Sequence, residues 1–74
     1  MNEVRRRAIK KCVEKLKAIE SELDNILDEE EEAFDNMGEG LQNSRGGQNS
    51  EDAIDSLESA VEDIDSAVSS LSGI

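Results

Sequence analysis

Histidine, proline, tryptophan and tyrosine are absent from this chain, and phenylalanine (Phe34) and cysteine (Cys12) occur once each. Each absence excludes something. Without histidine, the usual general base and the commonest nitrogen ligand for a metal are missing. A lone cysteine cannot build an internal disulfide framework. One aromatic ring does not make a stacking platform for single-stranded nucleic acid. Bases are scarce as well: eight Lys and Arg face nineteen Asp and Glu, giving a net charge of −11 over 74 residues. No apolar run exceeds two residues, as in Ala8-Ile9 and Ile26-Leu27. A signal-peptide core needs roughly seven to fifteen such residues and a membrane span about twenty. The expectation is an intracellular protein with Cys12 reduced and no membrane partner. A single domain of this size lies near the lower limit at which one core sustains itself. Lacking disulfides and a strong metal motif, it is expected to find support in another copy.

What is present is periodicity. Ile9, Leu16, Leu23 and Met37 lie on one seven-residue lattice, interrupted by Glu30. Cys12, Ile19, Ile26 and Ala33 lie on the lattice offset by three, and Val13, Leu27 and Phe34 widen the stripe. This spacing predicts an amphipathic helix over about residues 3–37. Residues 38–50, GEGLQNSRGGQNS, read as a loop, with Ser50 or Asn49 as N-cap of a second helix over about 51–72 and Glu51 and Asp52 in its first turn. That helix holds three seven-residue units: Ile54, Val61 and Val68 on one column, Leu57, Ile64 and Leu71 on the other, and Ala53, Ala60 and Ala67 beside them. Sustained units of this kind are a coiled-coil signature, and the alanine column admits a close neighbour. The predicted architecture is all-α: one helical-hairpin domain over 1–74, self-associating into a four-helix bundle or higher oligomer. Its expected oligomer core is Ile9, Cys12, Leu16, Ile19, Leu23 and Ile26 from the first helix, and Ile54, Leu57, Val61, Ile64, Val68 and Leu71 from the second. On this reading the second helix is too short to cover Val4, Ile9 and Cys12, and Cys12 serves as a small core hydrophobe.

Charge is distributed unevenly. Residues 1–17 carry seven bases against two acids, a net +5, and residues 18–74 carry one base against seventeen acids, a net −16. The first helix therefore has bases at its N-terminal end and the run Asp28, Glu29, Glu30, Glu31, Glu32 near its C-terminal end. The helix macrodipole favours the reverse by about 0.3–1 kcal/mol per well-placed group. Local helix stability thus does not account for the pattern. Two readings do. In one, the basic end of one copy meets the acidic end of another, setting orientation as edge charges do in coiled coils. In the other, Arg5, Arg6, Arg7, Lys10 and Lys11 form a polyanion site for nucleic acid or a small nucleotide signal, so that several hairpins act as a sequestering sponge.

The acids invite further comparison. Asp35-Asn36-Met37-Gly38 places methionine where a Ca²⁺ loop needs an oxygen ligand, so no metal or other cofactor is expected. A rod lined with carboxylates also suits a basic groove on another protein. Asp28, Glu29, Glu30, Glu31, Glu32, Asp55, Glu58 and Glu62 are the expected contact surface, against a reading as ordinary solvated face. The serines of the second helix lie off its seam with no base nearby in sequence, and no nucleophilic constellation emerges. An enzyme is not expected.

The stretch EEAFDNMGEGLQNS, Glu31–Ser44, followed by EDAIDSLESAVEDIDSAVSSL, resembles a group of small acidic proteins encoded by phages and prophages of Gram-positive bacteria. Those pair a charged first helix, ending in an acidic-Phe-Asp-Asn segment, with a Leu-Gln-x-Ser loop and a second helix of Ala-Ile/Val units. Where the group has Pro-Glu-Asn before Leu-Gln, this chain has Gly38-Glu39-Gly40, which implies a looser loop. The resemblance implies a phage-like context in a bacterial cytoplasm. Small noncatalytic proteins in that setting modulate or sequester host factors, here expected to be a host protein.

Overall fold

The computed structural model describes residues 1–74 as an all-α rod of 58 × 15 × 13 Å. Helix α1 spans Glu3–Asp35, the single turn α2 spans Glu39–Gln42, and α3 spans Arg45–Ser72. The radius of gyration is 17.0 Å, whereas a compact globule of this length has about 11 Å. No helix is long and apolar enough to cross a membrane.

The caps explain where the helices begin. Asn2 accepts the Arg5 N–H at 2.9 Å and starts α1. Asn36 closes it, its N–H donating to the Glu32 carbonyl at 3.0 Å while the Met37 N–H donates to the Phe34 carbonyl at 3.1 Å. Gln42 reaches back to donate from Nε2 to the Phe34 carbonyl at 3.0 Å, which fastens α2 to the end of α1. Ser44, not Ser50 or Asn49, caps α3 by accepting the Gly47 N–H at 3.4 Å. The expected loop over 38–50 is therefore replaced by a short connection, and α3 starts at Arg45 with no acid in its first turn. The reason lies at Gly47, which is buried with its Cα hydrogens against the Gln42 carbonyl; a Cβ there would collide with that backbone. Glycine is placed here for close approach inside a helix, where the local pattern reads as a break.

Helices α1 and α3 lie side by side. Ser50 near the start of α3 meets Glu30 near the end of α1, while Leu71 near the end of α3 shares a groove with Ile9 near the start of α1, so the two run antiparallel. In α1 the covered positions form two columns. We letter the repeat so that column a holds Val13, Glu20, Leu27 and Phe34, and column d holds Ile9, Leu16, Leu23, Glu30 and, just past the helix, Met37. All of these are buried or half-buried, and between Ile9 and Met37 every other residue except Glu31 is exposed. In α3, column a (Gly47, Ile54, Val61, Val68) and column d (Ser50, Leu57, Ile64, Leu71) are covered, together with Ala53 and Ala60.

This differs from the sequence expectation in one respect that matters. Ile9, Leu16, Leu23 and the six apolar α3 positions do lie on the seam. The second α1 column, however, is Val13-Glu20-Leu27-Phe34, and Cys12, Ile19, Ile26 and Ala33 are left exposed on the opposite flank. In the single chain Cys12 is a free, exposed thiol. Ile9, expected to lack cover, is half-buried because α3 is longer than predicted, whereas Val4 stays 75% exposed.

Candidate interaction surfaces

The seam contains two acids, and they are treated differently. Glu30, the interruption in the apolar lattice, accepts a hydrogen bond at Oε1 from the Ser50 hydroxyl at 2.6 Å. It therefore belongs to the interior rather than to the acidic contact surface assigned to it from sequence. Glu20 has no such match: its Oε2 is buried without a hydrogen-bond partner. Glu20 was not singled out from sequence, although it stands on the Val13–Leu27–Phe34 lattice and was legible there as a polar intrusion.

Of the basic residues, Arg6 and Lys10 come together and are joined by Lys17, which the sequence cluster omitted. Their side chains border a groove of about 320 Å³ at the open end of the helix pair, with Ile9, Val13, Leu71 and Ile74 as its apolar lining. Arg5, Arg7 and Lys11 do not line this groove, because successive residues on a helix turn by about 100° and cannot share one face. The five predicted cations are thus spread around α1. Arg6 pairs with Glu3 at 3.6 Å, an exposed contact on the same helix and the chain's only ion pair. No acid on α3 neutralises this end, since nothing after Asp65 is charged among the residues of that helix.

At the closed end the situation is reversed. Glu31 and Asp35 of α1 and Glu51 and Asp55 of α3 border a shallow depression of about 420 Å³ with Phe34 and Ile54 between them. Asp28, Glu29 and Glu32 are exposed on the outer faces of α1, as are Glu58 and Glu62 on α3. No group of three or more acid or thiol side chains is close enough to hold a metal ion.

A further apolar feature is the exposed α1 column. Cys12, Ile19, Ile26 and Ala33 recur every seventh residue along one flank, with Ile19 45% and Ile26 49% exposed. With columns a and d they make an apolar face three columns wide, the width that bundle helices bury between two neighbours, whereas α3 supplies one. What these surfaces offer chemically is apolar contact and charge of opposite sign at opposite ends. Comparison with protein-family models, curated proteins and solved structures finds no match to this chain.

Proposed function

We propose that this chain is a noncatalytic helical hairpin that self-associates and binds another macromolecule, a host protein, as an accessory or inhibitory factor of the phage type. The observation that carries the reading is the uncovered column Cys12–Ile19–Ile26–Ala33. Among the larger apolar residues of the chain only Val13 is buried, at 9% exposure. An apolar column left open from Cys12 to Ala33 supports binding, since bundle helices cover such columns with a neighbour. The exposed acids Asp28, Glu29, Glu32, Asp55, Glu58 and Glu62 suit a basic groove on the partner. The phage context rests on the resemblance carried by Glu31–Ser44 and the units that follow it.

Sedimentation equilibrium at moderate and at high salt tests self-association; a dimer or larger species is expected, and a compact monomer in both refutes it. Affinity capture from a bacterial host extract tests the acidic surface. A variant with Asp28, Glu29, Glu32, Glu58 and Glu62 changed to their amides is expected to lose the partner that the native chain retains. Retention of the same partner by both refutes that choice of surface.

A second reading is favoured by the groove at the open end, where Arg6, Lys10 and Lys17 border an apolar lining. It makes the protein a binder of nucleic acid or of a small nucleotide signal. Saturable binding of a labelled oligonucleotide or cyclic nucleotide, abolished by Lys10→Ala with Lys17→Ala, supports it. No saturable binding of either ligand refutes it.

A further inference from the structure

The self-association read above leaves open which face is used, in which direction and in which register; the inference here rests on that reading and supplies all three. We propose that a second copy of this chain docks antiparallel on the exposed α1 column, with a two-fold axis beside Ile19, so that Cys12 of one copy lies level with the partner's Ile26.

The face comes first. In α1 the open column Cys12–Ile19–Ile26–Ala33 flanks the seam on one side, and the two grooves flanked by Lys10, Lys17 and Glu31 lie on the other. In α3 the alanine column Ala53–Ala60–Ala67 flanks the seam likewise. For two antiparallel helices with matching seams, these flanking columns fall on the same side of the pair. The exposed isoleucines of α1 thus lie on the same side of the pair as the half-buried Ala53 and Ala60 and the exposed Ala67 of α3. A partner on that side covers α1 with α1 and α3 with α3, which is a four-helix bundle. The accessible surface of the single chain is 5506 Å², whereas a compact protein of this mass exposes about 4,500 Å². The excess of about 1,000 Å² is comparable to the ~800 Å² per partner of an ordinary stable interface.

The direction follows from charge. A parallel partner would set the acidic end beside the acidic end. An antiparallel one sets the +5 segment beside the acidic run, and the bases from Arg5 to Lys11 have no acid of α3 level with them, the last being Asp65.

The register follows from the same charges and from length. Ile19 is the midpoint of α1, Glu3–Asp35, so an axis there overlaps the two copies of α1 along their whole length. Along the rod it brings Asp28–Glu32 level with the partner's Arg6–Lys10, an attraction between ends rather than a set of contacts, since Lys10 and Glu31 stand on the far side of the seam. Beside the apolar column, Lys15 comes within one residue of level with the partner's Glu22, a rise of about 1.5 Å that a lysine side chain spans, and does so twice by symmetry. Moving the axis half a repeat, to midway between Ile19 and Ile26, would instead bring Glu22 within one residue of level with the partner's Glu22. On α3, the intramolecular register of Glu30 with Ser50 brings Ala60 level with Glu20, one residue from the axis, so Ala60 approaches its own copy where its small side chain permits contact.

Cross-linking distinguishes the register from self-association itself. The variant Ile19→Cys in a Cys12→Ser background is expected to form a covalent dimer under mild oxidation. The variant Ile26→Cys with Cys12 retained is expected to do the same. The native chain is not, because its two Cys12 thiols lie ~21 Å apart along the antiparallel helices. All three positions are exposed in the single chain, so these changes leave the intramolecular seam intact. Sedimentation is run on each. A dimer in which neither variant cross-links overturns this face while self-association stands. Native chain that cross-links as readily as the variants overturns the antiparallel direction. A monomer throughout overturns both readings. As an independent arm, Lys15→Glu is expected to weaken dimerisation by about three- to tenfold through its two symmetric pairs, and adding Glu22→Lys is expected to restore it. An unchanged dissociation constant for Lys15→Glu overturns the register.

Discussion

At the scale of single residues, the two seam acids show that a carboxylate between helices is only as costly as its partners allow. Glu30 receives the Ser50 hydroxyl, and Glu20 has an oxygen buried without one. A buried polar group left unpaired costs about 1–3 kcal/mol, whereas replacing both members of a pair by apolar groups is nearly neutral. Glu20→Leu is therefore expected to stabilise the fold by about 1 kcal/mol or more, read as a higher thermal midpoint by circular dichroism. Ser50→Ala is expected to destabilise by about 1–3 kcal/mol because Glu30 loses its donor. The double change Ser50→Ala with Glu30→Leu should recover most of that loss, and a double-mutant cycle in urea measures the difference. Sequence periodicity located Glu30 as an exception in the lattice. It did not locate the partner, because Ser50 is distant along the chain and was read as a helix cap.

At the scale of elements, both long helices were legible from apolar spacing, and the connection between them was not. Gly38, Gly40, Gly46 and Gly47 with their Asn and Ser neighbours carry the local signature of a loop, each glycine costing about 1 kcal/mol inside a helix. The cost at Gly47 is accepted because α3 must cross the Gln42 carbonyl at that point, and no side chain fits there. A signal was available: stepping back seven residues from Ile54 and from Leu57 reaches Gly47 and Ser50, so the seam columns of α3 already ran into the supposed loop. Gly47→Ala is expected to destabilise the protein despite the higher helix propensity of alanine, while Gly46→Ala, which meets only the Ser44 hydroxyl at 3.6 Å, should be neutral or stabilising. Ser44→Ala is expected to cost about 1 kcal/mol as a lost N-cap. Chemical denaturation of the three variants checks all of these, and the opposite order for Gly46 and Gly47 would refute the close-approach account.

At the scale of the whole molecule, a rod 58 Å long whose one buried apolar side chain is Val13 has little core of its own. If other copies supply the missing cover, stability is linked to concentration by mass action. The thermal midpoint is expected to rise by several degrees between micromolar and near-millimolar protein, measured by calorimetry; a midpoint independent of concentration would mean that the single chain is self-sufficient. The sequence alone determined the all-helical character, the three-column apolar width of α1 and the division of charge into +5 and −16, because helix periodicity and charge are local properties written residue by residue. Only the tertiary structure decided which edge of that wide face α3 covers. Periodicity places Val13, Leu16 and Cys12 on one broad face but does not say from which side a single neighbour will approach. That choice is made in the connection, where Gln42 is held to the Phe34 carbonyl and Gly47 lies against the Gln42 backbone. Together they bring α3 onto the Val13–Phe34 edge and leave Ile19 and Ile26 facing outward.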